Sequence, residues 1–86
     1  MSLESMMIGW KAKGISPAAK LTLIWISDSI DDYGLYYFHL GSLQEFTGCT
    51  TDEINEHILE LQTAGLIKAV NVNAEKPVYQ LLGYQP

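Results

Sequence analysis

"TTDEINEHILELQTAGLI", residues 50–67, is the stretch on which the reading of the whole chain turns. Ile54, Ile58 and Leu61 fall at i, i+4 and i+7, the spacing of a helix that turns one stripe toward a core. Thr50 and Glu53 stand three apart, as in a capping box that starts a helix. Gly65 suits the left-handed position just past a helix end, and Leu66 can pack back on the last turn. The pattern predicts a helix over 50–64. Its outward positions carry Asp52, Glu53, Glu56 and Glu60, so the face it offers to a partner is acidic.

The flanking elements follow from the same rules. Ser42 and Glu45 form an S-x-x-E capping box, which predicts a helix over 42–47 with Leu43 and Phe46 inward. Thr47-Gly48-Cys49 then reads as a tight turn into the 50–64 helix. "LYYFHL", 35–40, is aromatic and lies between Gly34 and Gly41, so it reads as a short strand. "SPAAK" opens a helix over 16–30: Ser16 caps, and Pro17 fits the first helical position. That helix is apolar enough over 21–26 to be largely buried. Residues 1–13 form an N-terminal arm or short helix, with Leu3, Met6, Met7 and Trp10 on one side. "IKAVNV", 67–72, and "VYQLLGY", 78–84, have strand composition. The polar stretch 73–77 joins them into a hairpin over 67–84. The whole of 1–86 is expected to be one α+β domain of three main helices, a short strand and a C-terminal hairpin.

That order resembles the winged-helix version of the helix-turn-helix, and the local sequence agrees. Ser16, Pro17 and Lys20, then Gly34, then Ser42, Thr47 and Gly48, then His57 to Leu61 and Ala64 to Ile67 match the pattern of winged-helix domains in phage and mobile-element proteins. These include replication-initiator domains and small regulators. The resemblance covers residues 8–72. It implies a third helix that enters the major groove of duplex DNA and a hairpin wing that touches backbone or minor groove. In the family pattern several outward positions at the start of that helix are basic. Here those positions are Thr51, Asp52, Asn55 and Glu56, none of them basic. His57 matches the pattern but lies beside the Ile54/Ile58 stripe, where a half-buried helix residue is expected.

Charge sharpens the departure. The net charge is −5 and the chain has no arginine; its bases are Lys11, Lys13, Lys20, Lys68 and Lys76. Between Leu21 and Ile67 there is no base, while the same span holds eight acids. A specific DNA binder neutralises roughly 6–10 phosphates, and counterion release makes that term a leading share of affinity. An acidic central region opposes a polyanion and suits a protein surface instead.

Other constellations carry less. Asp28, Asp31 and Asp32 lack the alternating oxygen ligands and closing glutamate of a calcium loop and read as a solvated turn. His39 and His57 are not at zinc spacing. Glu53 and Glu56 lie on an exposed helix face, and no Gly-rich phosphate loop or G-x-S-x-G is present. No metal, cofactor or catalytic apparatus is expected. Cys49, the single cysteine, fits a small core residue and a reducing, cytoplasmic setting. The first residues lack the basic and apolar regions of a signal peptide, and no apolar run approaches membrane-spanning length. A strand alternates faces, so one of Tyr36 and Tyr37 points inward and the other outward.

The expectation is therefore a non-enzymatic regulatory or accessory module. Its site would be Asp52, Glu53, Glu56 and Glu60 with Tyr36 or Tyr37 at the margin. It would bind a protein, as a DNA-mimicking inhibitor or as a subunit of a complex, and a homodimer is compatible with its apolar content. The competing expectation is a DNA-binding transcription or replication regulator. It would use Lys11, Lys13, Lys20, Lys68 and Lys76, with Thr51, Asn55 and His57 on the helix.

Overall fold

The computed structural model describes residues 3–71 and 76–84, with side chains from Met7 onward. It contains helices α1 (Leu3–Lys11), α2 (Pro17–Asp28), α3 (Leu40–Thr47) and α4 (Thr51–Thr63) and strands β1 (Leu35–Tyr37), β2 (Ile67–Ala69) and β3 (Val78–Leu81). The architecture is α+β: a helical layer beside a small antiparallel sheet of order β1-β3-β2. Tyr36 pairs with Tyr79 on one side of β3, and Lys68 pairs with Gln80 on the other. The expected positions at Val72 to Glu75, and the side chains of Leu3 and Met6, lie outside the described residues.

α2 is the centre of the helical layer. Ser16 is its N-cap, its hydroxyl accepts the Ala19 N–H at 3.2 Å, and Pro17 occupies the first turn. The helix stops at Asp28, two residues short of the expected 30. The cause is Ser29, whose N–H turns to the Ile26 carbonyl while its hydroxyl takes the Trp25 carbonyl at 2.8 Å. Leu23 and Ile26 of α2, Leu43 of α3, Ile54 and Leu61 of α4, and Leu81 of β3 meet in one core. α1 packs across α2 at Gly9, where an added Cβ would stand 3.1 Å from both the Ile24 Cα and the Ser27 Oγ.

The expected start of the 42–47 helix needs correction. α3 begins at Leu40, and its N-cap is His39, not Ser42. The His39 Nδ1 accepts the Ser42 N–H at 3.1 Å, so Ser42 receives a cap rather than supplying one. The same event shortens the strand expected over 35–40. β1 ends at Tyr37, because His39 must leave the sheet to close the helix.

α4 has both ends that its sequence announces. The Thr50 hydroxyl accepts the Glu53 N–H at 3.2 Å, and the Glu53 carboxylate accepts the Thr50 N–H at 2.9 Å. At the other end Gly65 has φ +75, its N–H reaches the Gln62 carbonyl, and the Leu66 N–H reaches the Leu61 carbonyl. Those crossed bonds form a Schellman closure, and only a residue free of Cβ strain takes that φ cheaply. The chain then enters β2 directly.

Candidate interaction face

The four acids of α4 separate into two pairs with different duties. Glu53 is held in the capping box, and the Thr50 N–H holds its carboxyl below the usual carboxylate range. Glu60 reaches across to α2: its carboxylate accepts the Ser16 N–H at 2.6 Å and the Ser16 hydroxyl at 3.0 Å. Both satisfy backbone N–H groups at helix starts, which would otherwise be orphaned. Asp52 and Glu56 are exposed and enter no hydrogen bond or ion pair among the described residues. Of the expected acidic face, these two remain for a partner.

The tyrosines divide as alternation requires. Tyr36 is buried at 2 % exposure, and its hydroxyl accepts the His39 N–H at 3.4 Å. It is withdrawn from the expected partner-binding set, because it packs in the core. Tyr37 is exposed, and its hydroxyl donates to Asp31 at 3.1 Å, which pushes the phenol up. Asp31 also accepts the Tyr33 and Leu35 N–H groups, and the Leu35 bond leads in holding its carboxyl down. Tyr37 stands on edge strand β1, whereas α4 meets the sheet at β2. It is not part of the α4 face.

The residues expected to contact DNA stand on several elements. His57 is buried, with its Nδ1 2.9 Å from the Thr22 hydroxyl, and so faces α2 instead of a ligand. The Thr51 hydroxyl accepts from the Gln44 side-chain amide at 3.3 Å. Asn55 is exposed on α4. Lys11 ends α1 and Lys13 follows it, Lys20 lies on α2, and Lys68 and Lys76 belong to the β2–β3 hairpin region. Among the described residues no lysine forms an ion pair with a carboxylate.

One functional candidate was missed by the sequence reading. Leu59 is 65 % exposed in the middle of α4. It borders an open cleft of ≈ 440 Å³ whose other walls are Gly14, Ile15, Glu56, Glu60, Thr63 and Ala64. Asp52, Glu56, Leu59 and Thr63 fall at i, i+4, i+7 and i+11, one outward stripe that is acidic at its start and apolar at its centre. The signal was available: Leu59 is apolar but sits one residue off the Ile54/Ile58/Leu61 stripe. A second cleft of ≈ 390 Å³ lies between α2 and α3, lined by Trp25, Ser42, Glu45 and Phe46, with the two rings 4.8 Å apart.

Among the described residues, no cluster of three or more His, Cys, Asp or Glu could hold a metal ion. No helix of the described residues is long and apolar enough to cross a membrane. In comparisons with known proteins, no family model, no curated protein and no solved structure matches the chain.

Proposed function

We propose that the chain is a winged helix-turn-helix module of phage or mobile-element type that works without catalysis, as a regulatory or accessory protein. In this reading it acts by protein recognition through the outward stripe of α4. The element order and the β1-β3-β2 sheet support the winged-helix reading. The observation that carries the function is Leu59: a large apolar side chain, 65 % exposed, at the centre of the helix that would enter a DNA groove. An exposed leucine on one stripe with the unpaired carboxylates of Asp52 and Glu56 is poor chemistry for phosphate contact, whereas apolar centres with polar rims characterise protein interfaces.

Docking to a protein surface fits better than imitation of DNA. A DNA mimic presents a run of free carboxylates, and here Glu53 and Glu60 are occupied by caps. The test has two arms. Wild type and the variants Asp52→Lys and Leu59→Glu are used as crosslinking baits in extract, and both variants should lose the wild-type product. In parallel, binding to labelled duplex DNA is read at low and moderate salt. Sequence-dependent retention with a steep salt slope, abolished by Lys68→Ala with Lys76→Ala, would overturn the reading in favour of a DNA-binding regulator.

A further inference from the structure

The cleft on α4 has a chemical counterpart next to it. Trp10, near the end of α1, is 62 % exposed, and Lys11 and Lys13 beyond it are exposed as well. This aromatic and basic strip runs directly into Gly14 and Ile15, which form a wall of the acidic cleft beside Glu56, Leu59 and Glu60. The opposite charges lie on neighbouring surface, yet no lysine pairs with a carboxylate among the described residues. A surface whose two adjoining halves complement each other is what a two-fold dimer requires, since residue i then meets residue j and j meets i.

We propose that this surface is an interface between two copies of the chain. Trp10 of each copy enters the cleft beside Leu59 of the other, and Lys13 of each approaches Glu56 of the other. The inference rests on the α4 stripe being a protein-recognition surface and names its partner as a second copy. A cleft of ≈ 440 Å³ lies within the roughly 300–1,000 Å³ of sites that enclose small molecules, which is ample for one indole ring. A chain with principal extents of 31 × 28 × 23 Å has faces able to supply the ~800 Å² per partner of a standard interface. The net charge of −5 on each copy opposes association, so the dimer should be concentration-dependent.

Sedimentation or light scattering over about 1 μM to 1 mM tests this. The mass should rise from 9.6 kDa toward double that value. Glu56→Lys and Lys13→Glu should each weaken self-association by at least about tenfold, through repulsion at both symmetric contacts. An equimolar mixture of the two should recover wild-type association. In the mixed pair Lys13 of the first variant meets Glu56 of the second, and the two substituted positions attract each other. Trp10→Ala should also dissociate the dimer, with circular dichroism melts showing each variant folded. A wild-type chain that stays monomeric throughout would overturn the proposal. So would a dimer indifferent to all three substitutions, or a folded mixture that stays monomeric. If the chain is monomeric while Leu59→Glu still loses a crosslinked partner, the dimer fails and the protein-recognition reading stands.

Discussion

Glu60 closes the start of a helix 44 residues away in sequence: its carboxylate takes both the backbone N–H and the hydroxyl of Ser16. The bond ties the last turn of α4 to the N-cap of α2, beside the cleft. Glu60→Ala should therefore destabilise the whole domain by about 1–2 kcal/mol, the usual worth of a cap with a charged acceptor. Denaturant unfolding measures this. A double cycle with Ser16→Ala, which removes the hydroxyl and keeps the N–H, should show coupling through the hydroxyl bond; independent effects would mean that this bond adds nothing in solution.

Acid should attack the caps before the core. The Glu53 and Asp31 carboxyls sit below their ordinary values of 4.5 and 3.8 because backbone N–H groups favour the charged form. A carboxyl depressed in the folded state stabilises above its unfolded value, and that contribution fades as pH falls through 4.5 and 3.8 toward the folded values. The melting temperature should hold from neutral pH down to about 5 and fall below it. Glu53→Gln and Asp31→Asn, which cannot titrate, should lower the neutral-pH plateau and flatten the fall.

The buried contact between Thr22 and His57 predicts that a second substitution rescues the first. Thr22→Val removes the hydroxyl 2.9 Å from the His57 Nδ1 and leaves that nitrogen without its partner, at a cost of about 1–3 kcal/mol. Adding His57→Leu removes the polar group as well, and the double variant should recover most of the loss. Thermal unfolding of the two variants beside the wild type decides it.

Gly34 should be the least tolerant position in the turn after α2. It has φ +79, and an added Cβ would stand 2.7 Å from the Tyr84 Cδ2. Gly34→Ala therefore strains the backbone and displaces a ring, with a loss of about 1–3 kcal/mol from backbone strain alone. Pairing it with Tyr84→Ala should return only the steric part.

His39→Asn should leave α3 capped, since asparagine is a preferred N-cap, whereas His39→Ala should cost about 1 kcal/mol. Ser42→Ala should cost less, because its main-chain N–H still reaches His39.

Much of the fold was legible because its signals are local. The Thr50/Glu53 box, the Gly65 stop and the Ser16-Pro17 start each depend on residues within one turn, and each forms as its spacing implies. Ser42 and Glu45 show the limit of that reasoning. Their spacing equals that of a capping box, but a histidine three residues earlier had the better geometry and took the N–H first. The candidate site was less legible for a related reason. Sequence counts acids on a helix face and cannot say which are already engaged. Glu60 looks like surface charge until Ser16 is brought beside it by tertiary packing. Leu59 passes for core amid Ile58 and Leu61, although its place one residue off their stripe marks it as outward, and it is 65 % exposed.

The sheet order carries a consequence for how the chain is made. β1 and β2 each pair with β3 and not with each other, and β3 is the last of the three to leave a ribosome. Until Val78 to Leu81 emerge, the nascent chain holds two strands with open edges, exposed to any passing strand. A premature stop before Val78 spares all four helical segments and removes the sheet completely. Without Val78 to Leu81 the helices would thus stand beside two unpaired strands, so the sheet closes only through β3.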